Sequence, residues 1–195
     1  MTWCSQSATP RTRAILSCGA IVALVFVGAA VAVTDTANGQ RVYGTRGDQA
    51  YADRLWKALR TAGLIGSKRL SPRPTKGEKP HGIVQQIVAG QVRVGMGGRD
   101  QRVVVKANHR GAGATTTSVY EQPNTFLTGY AVMAKRPGYD ARNQDWFWVV
   151  YNPDGQVRRF NGRAIAGRVD TGKTNSCIGC HRKEGGADLE VLTRK

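Results

Sequence analysis

Cysteine, histidine and acidic residues are scarce in this chain. Among 195 residues there are four cysteines, three histidines, and 13 aspartates and glutamates against 29 lysines and arginines. Cys4 and Cys18 belong to the first 37 residues, and the two cysteines that remain are too few for a disulfide framework. The few carboxylates offer no clear general base, because Glu121, Asp140 and Asp145 fit turn or capping positions better. No acidic catalytic residue is therefore assigned.

The first 37 residues have the composition of an export signal. Arg11 and Arg13 precede an apolar run over residues 14–33, and polar residues follow. Ala30-Val31-Ala32 predicts a cleavage site, although the apolar run is also long enough to anchor the chain in a bilayer. We expect residues 1–37 to be a signal peptide or an N-terminal membrane anchor, and residues 38–195 to form one domain. The domain is expected in the periplasm or on the extracytoplasmic face of a bacterial membrane.

The net charge of +16 limits the choice of partners. Such a charge favours acidic proteins, anionic lipid surfaces or nucleic acid. Nucleic acid is not expected, because the basic residues are scattered and no stripe of aromatic residues alternates with them. A solvated basic surface is the simplest interpretation, and an acidic redox partner or a membrane surface is the alternative.

Hydrophobic periodicity predicts an α+β domain that is mainly antiparallel β-sheet with one or two packed helices. In residues 48–63, Tyr51, Leu55 and Leu59 recur every four positions, Asp48 suits the N-cap and Gly63 suits the stop of a helix. Loops are predicted over residues 66–81 and 111–118. Strands are predicted over residues 83–88, 91–94, 101–108, 125–135 and 145–151.

Two of these strands carry further detail. Asn152-Pro153-Asp154-Gly155 is a turn signal, and it predicts a hairpin in which residues 156–160 return along residues 145–151. Alternation along residues 101–108 places Lys106 on the face opposite to Val103 and Val105. That lysine therefore lies on a different surface from the apolar face of its strand.

The sequence CIGCH, residues 177–181, carries the most specific chemistry, and only fourteen residues follow it. Two cysteines at this spacing can each form a thioether with a haem vinyl group, and the adjacent histidine then ligates the iron. A thiol–disulfide site is expected early in a fold of alternating strands and helices, and a zinc site lacks ligands beyond His81 and His109. The motif therefore predicts one covalent haem c near the C-terminus, bound through Cys177 and Cys180 with His181 on the iron.

The opposite side of the iron has four candidate ligands in the domain, namely Met96, Met133, His81 and His109. Met133 fits a buried strand residue, and the two histidines fit hydrogen-bonded loop residues. An open or water-occupied iron that binds small molecules is therefore the leading expectation. An electron-transfer cytochrome with a sixth axial ligand is the alternative.

Several segments together resemble the cytochrome P-460 family, which includes the cytochromes c′-beta. They are Pro80-His81-Gly82, residues 132–138, residues 145–148 followed by Pro153-Asp154-Gly155, and the terminal CIGCH. The resemblance covers residues 81–191. It implies an antiparallel sheet domain, often a homodimer, with one c-type haem and a free distal face. Members of that family oxidise hydroxylamine or bind nitric oxide and related small ligands.

The resemblance also gives Lys106 a role. In the hydroxylamine-oxidising members a lysine after a short hydrophobic strand is cross-linked to the haem, and Val103-Val104-Val105-Lys106 is similar to that place. The flanks differ, since residues 98–102 replace a Pro-Asp-Gly-Thr lead and Ala107 replaces an acidic residue. Lys106 is therefore a candidate for binding the cofactor, a pocket-lining or solvated strand lysine is the alternative, and Lys135 is a second candidate for the cross-link.

Overall fold

A six-stranded antiparallel sheet forms the centre of the domain in this computed structural model, which describes residues 43–170, 176–184 and 188–192. Its order is β1-β2-β3-β4-β5-β8. The strands are β1 (Thr75–Lys76), β2 (Val84–Arg93), β3 (Asp100–His109), β4 (Leu127–Lys135), β5 (Trp146–Tyr151) and β8 (Ala166–Gly167). A separate two-stranded ribbon pairs β6 (Arg159–Phe160) with β7 (Arg163–Ala164). The predicted class, α+β with a mainly antiparallel sheet, is confirmed.

One face of the sheet packs against the helix α1 (Arg46–Thr61). Side chains of β3, β4 and β5 that alternate along each strand point to this face, as the period of two requires. They meet the apolar stripe of α1, including Leu55 and Leu59, which are fully buried. The main core therefore lies between α1 and the sheet, with contributions from Val103, Val105, Tyr130, Val132, Phe147, Val149 and Tyr151.

The start of α1 differs from its prediction. Thr45, and not Asp48, is the N-cap: its Oγ1 accepts a hydrogen bond from the Asp48 amide at 3.1 Å. The Asp48 carboxylate in turn accepts one from the Thr45 amide, also at 3.1 Å. This reciprocal capping box satisfies two backbone donors that the first turn leaves open. The helix ends at Thr61, and Gly63 follows with a left-handed φ of 66°, as a stop residue does.

The other face of the sheet packs against the helix α3 (Cys177–Glu184). The strand positions between those of the main core point to this face. Ile178 of α3 is fully buried against them. This second cluster contains Tyr43, Val104, Met133, Trp146, Trp148, Val169, Ile178 and Leu189. The sheet therefore separates the main core from the CIGCH helix.

Several predicted boundaries are wrong. Strand β2 continues through Gly90, so the predicted strands 83–88 and 91–94 are one strand paired along its length with β3. The predicted loop 111–118 contains the start of a short helix, α2 (Thr116–Glu121), because Thr115 and Ser118 form another capping box. The predicted loop 66–81 includes the two-residue strand β1.

The hairpin predicted after β5 forms only next to its turn. Tyr151 makes an isolated bridge with Val157, and the Arg158 amide donates a hydrogen bond to the Val150 carbonyl at 2.8 Å. Residues 159–160 then leave to pair with β7, and β8 takes the place beside β5. The turn residues thus predicted a reversal but not the partner strand, which packing determines.

The proposed signal peptide or anchor, residues 1–37, and the start of the domain lie outside the described residues. Within the described ranges, no helix combines the length and the apolar character that crossing a membrane requires.

We expect Thr45→Ala to lower the free energy of unfolding by about 1 kcal/mol, because it removes the acceptor of the capping box. Thr45→Ser keeps the hydroxyl and is expected to cost less than about 0.5 kcal/mol. Urea unfolding followed by tryptophan fluorescence measures both values. Equal losses in the two variants would contradict the capping role.

Candidate functional site

Helix α3 presents the three reactive side chains of CIGCH on one side. Cys177, Cys180 and His181 are at positions i, i+3 and i+4, which share a face of an α-helix. Ser176 fixes the start of the helix, since its Oγ accepts a hydrogen bond from the Gly179 amide at 3.0 Å. Ile178 points to the sheet and anchors α3 there. The local fold therefore brings Cys180 and His181 to one cavity and leaves Cys177 beside the second cluster, one helical turn away.

His181 is buried and held in one orientation. Its Nδ1 lies 2.7 Å from the Leu189 carbonyl oxygen, and a carbonyl can only accept, so Nδ1 carries the proton. Nε2 is then the nitrogen with the free lone pair, and no described residue hydrogen-bonds it. The ring of Trp148 packs edge-on against the imidazole, with centroids 4.6 Å apart. Burial is the main cause that lowers the pKa of His181 to about 4.

The carbonyl that orients His181 belongs to a short segment clamped to the sheet. The Trp146 indole donates a hydrogen bond to the Asp188 carbonyl at 2.7 Å, and Lys135 forms an ion pair with the Asp188 carboxylate at 2.6 Å. Arg102 pairs with Glu190. Between these anchors Leu189 has a φ of 60°, a conformation that is strained for a leucine. Backbone strain at this point is consistent with a positioning role for its carbonyl.

Lys106 is a buried cation without a partner. It lies at the middle of β3, opposite Ile87 of β2 and Ala131 of β4, and only 4% of its surface is exposed. Among the described residues no carboxylate pairs with its ammonium group. Burial lowers the pKa of Lys106 to about 8. The alternative of a solvated strand lysine is therefore wrong, whereas a pocket-lining position is confirmed.

A cavity joins Lys106 to the CIGCH helix. Strand β3 contributes Lys106, α3 contributes Cys180 and His181, and the chain around β1 forms much of the outer wall. Its volume of about 70 Å³ holds a few water molecules, whereas ligand pockets have several hundred Å³. Haem binding here therefore requires the walls around His181 to open. The lining residues are Lys76, Glu78, Lys79, His81, Gln85, Lys106, Cys180, His181, Glu184, Val191 and Leu192.

Cys177 does not have the lowered pKa of a thiol–disulfide exchange site. Cys177 and Cys180 are both free. Burial raises the pKa of Cys177 to about 12, whereas an exchange cysteine needs a pKa below its usual value. A zinc site has no support either, because no cluster of three or more histidine, cysteine or acidic side chains forms among the described residues. Haem attachment needs only the two thiols and the imidazole, and this donor set fits it.

The four candidates for a sixth ligand lie in different parts of the fold. Met96 is fully exposed in the turn after β2, and Met133 is buried in the second cluster without lining the cavity. His109 ends β3, and its Nε2 lies 3.0 Å from the Pro123 carbonyl oxygen, so it is hydrogen-bonded as predicted but in a strand. His81 alone lines the cavity, with its ring centroid 6.1 Å from that of His181.

His81 was one of four candidate sixth ligands in the sequence, but the sequence favoured a hydrogen-bonded loop residue over a ligand at this position. A hydrogen-bonded loop histidine was predicted, but its imidazole has no hydrogen bond to any described residue. Burial, followed by the charges of Lys106 and His181, lowers the pKa of His81 to about 3. Pro80-His81-Gly82 gave a signal only as part of the family resemblance, because no spacing in the sequence relates residue 81 to residue 181.

The acidic residues considered as bases have structural roles. The Asp145 carboxylate accepts hydrogen bonds from the Gly138 amide at 3.0 Å and the Asp140 amide at 2.9 Å. Asp140 accepts one from the Asn143 side chain at 2.6 Å. Glu121 ends α2 on the surface. None of these three carboxylates lines the cavity. Turn or surface positions are confirmed for Asp145 and Glu121, whereas Asp140 is buried beside a turn.

Comparisons with models of protein families, with curated proteins and with solved structures found no match to this chain. Membership of the cytochrome P-460 family therefore stays a prediction from the resemblance.

We expect Lys106→Met to stabilise the haem-free protein at pH 7 by about 1–3 kcal/mol, because it replaces an unpaired buried charge with an apolar side chain. The folded-state pKa of Lys106 is about 8, below the 10.5 of a free lysine. The unfolded state thus binds more protons between these two values, and the stability of the wild type rises with pH there. The gain should shrink over the same range.

Urea unfolding at several pH values, on protein made without a cytochrome c maturation system, tests this expectation. Lys76→Met removes an exposed lysine of the same cavity and should change stability by less than about 0.5 kcal/mol. A loss of stability in Lys106→Met at pH 7 would show that the ammonium group has a partner.

Proposed function

We propose that this chain is an exported monohaem c-type cytochrome that oxidises hydroxylamine or binds nitric oxide at an iron with an accessible distal face. The observation that supports this function best is the convergence of Cys180, His181 and Lys106 on one cavity. Cys177 is three residues before Cys180 on α3 and packs beside the second cluster, so its thiol is near the cavity wall but does not line the cavity. The family resemblance suggests nitrogen oxides as the ligands.

In this proposal Cys177 and Cys180 hold the haem covalently and His181 ligates the iron through Nε2. The hydrogen bond from Nδ1 to the Leu189 carbonyl fixes the tautomer that ligation needs, and it makes the imidazole a stronger donor. Trp148 packs against the ring and limits its rotation. When bound, haem iron supplies the coordination position and the redox couple for a small nitrogen oxide.

Lys106 gives the site its second chemical group. Its amine shares the cavity with His181, so it can donate a hydrogen bond to a small polar ligand there. In the hydroxylamine-oxidising members of the resembled family, a lysine is joined to the haem. The buried amine of Lys106 could supply the nitrogen of such a bond, and because joining an N–H to a haem C–H releases two electrons and two protons, an external oxidant would be needed as well. Hydroxylamine oxidation releases electrons and protons in equal number, and both must leave to an external acceptor and to solvent.

Electron transfer is the second candidate function. The observation that favours it is the position of His81, whose imidazole is close to that of His181 in the same cavity. An iron held permanently by two histidines would carry electrons and would not bind nitrogen oxides.

The proposed partners and cellular location also rest on the sequence. An acidic redox partner is supported by the net charge of +16 and by the exposed Lys76 and Lys79 at the cavity. Export and membrane anchoring depend on residues 1–37, and a homodimer depends on the resemblance. Nucleic acid is not proposed as a partner.

Cys177→Ala combined with Cys180→Ala is expected to abolish covalent haem in protein matured by a cytochrome c assembly system. Haem staining after denaturing electrophoresis measures the attachment. Cys4→Ala combined with Cys18→Ala is the matched control and should keep the stain. Retention of covalent haem by the first pair would refute attachment through CIGCH.

Mass spectrometry of haem peptides separates the two nitrogen-oxide functions. A haem that joins the Cys177 peptide to the Lys106 peptide would favour hydroxylamine oxidation, and Lys106→Arg should remove the second link while keeping the first. Haem on the cysteines alone would favour nitric oxide binding. Two further measurements complete the test: an assay of hydroxylamine oxidation with an artificial electron acceptor, and a titration of the ferrous protein with nitric oxide. A protein that neither oxidises hydroxylamine nor binds nitric oxide would contradict the proposed function.

A further inference from the structure

We propose that His81 binds the haem iron on the face opposite His181 when no external ligand is present. This inference rests on the proposed haem attachment and concerns the control of the same site. It makes His81 an internal sixth ligand that a nitrogen oxide has to displace.

The loop that carries His81 is fixed to the sheet. The Gly77 amide donates a hydrogen bond to the Ile83 carbonyl at 2.8 Å, and the Ile83 amide donates one to the His109 carbonyl at 3.0 Å. Gly82 has a φ of 86°, and a Cβ there would lie 2.7 Å from the His109 carbonyl oxygen. A glycine is therefore required for this close approach. The loop is thereby held against the end of β3.

Two further contacts set the direction of the loop. The His81 amide donates a hydrogen bond to the Glu78 carbonyl at 2.6 Å, and Arg110 donates one to the Pro80 carbonyl at 2.6 Å. The backbone of the loop is thus hydrogen-bonded at both ends while the His81 ring lines the cavity.

The imidazole of His81 is half-buried at the cavity, and neither ring nitrogen is hydrogen-bonded to a described residue. His109 differs, because its Nε2 lies 3.0 Å from the Pro123 carbonyl oxygen, although its Nδ1 is buried without a hydrogen-bond partner among the described residues. The His81 ring instead lies next to His181, the residue proposed to bind iron.

The distance between the two rings is compatible with direct ligation of one iron. Imidazoles that bind one metal from opposite sides have centroids about 6 Å apart, because each metal–nitrogen bond is about 2 Å and each centroid lies about 1 Å behind its nitrogen. The centroids of His81 and His181 are 6.1 Å apart, with ring planes at 83°. A histidine that only hydrogen-bonds an iron-bound ligand would lie farther away, because a further contact of about 3 Å intervenes.

The walls that must open for the haem macrocycle surround this pair of rings. Lys76, Lys79, Val191 and Leu192 line those walls, and Lys76, Lys79 and Leu192 are exposed to solvent. They can therefore move with little loss of buried apolar surface.

Spectroscopy of the full chain with haem attached tests the proposal. Ferric wild-type protein should show the optical and electron paramagnetic resonance spectra of low-spin iron with two histidines. His81→Ala should convert it to high-spin iron, and His81→Gln should do the same while conserving size. Met96→Ala removes an exposed candidate ligand and should leave the low-spin spectrum unchanged. The apparent affinity of the ferrous protein for carbon monoxide should rise at least about tenfold in His81→Ala, because the internal ligand no longer competes.

High-spin ferric iron in the wild type would overturn this inference, and so would a low-spin spectrum that persists in both His81 variants. An unchanged carbon monoxide affinity in His81→Ala would overturn it as well. A wild-type chain without covalent haem would contradict the proposed function, and the inference with it. Attached haem with high-spin iron would overturn only the role of His81.

Discussion

The hydrogen bond between His181 Nδ1 and the Leu189 carbonyl connects the fold to the proposed chemistry. It presents Nε2 as the ligating nitrogen, and it depends on a segment that Trp146 and Lys135 hold against the sheet. Its other side depends on α3, which Ile178 anchors to the same sheet. The β-sheet is therefore the rigid support on which two otherwise separate pieces of chain meet. Loss of either anchor would free the imidazole to rotate.

Lys106 and His81 lower the stability of the folded state. A buried ammonium group without a carboxylate partner among the described residues destabilises the folded state, and burial also disfavours the charged form of the half-buried His81 imidazole. Both side chains line the same cavity as His181 and Cys180. Such groups concentrate at functional sites, because a protein without a use for them gains stability by replacing them. Their coincidence at one cavity is a stronger indication of function than either group alone.

The sequence predicts the parts of this site that local rules determine. Strand alternation separated Lys106 from Val105, and the CIGCH spacing grouped two thiols and a histidine as a haem-attachment motif, although the helix that carries them was not predicted. Strand register and long-range strand pairing were predicted less well from the sequence. Strand β2 continues through Gly90, and β8 takes the place of the expected return strand. Leu189 and His81 could not be related to His181, because their contacts depend on tertiary packing and leave no periodic trace in the sequence.

The pyridine haemochrome spectrum of the purified protein, after export through a cytochrome c maturation system, tests the central claim most directly. The position of its α-band distinguishes haem bound by two thioethers from haem bound by one or none. We predict one haem per chain with the band of two thioether links, and no haem extracted by acidified acetone. Extractable haem, or protein without haem despite successful maturation of a control cytochrome, would contradict the account.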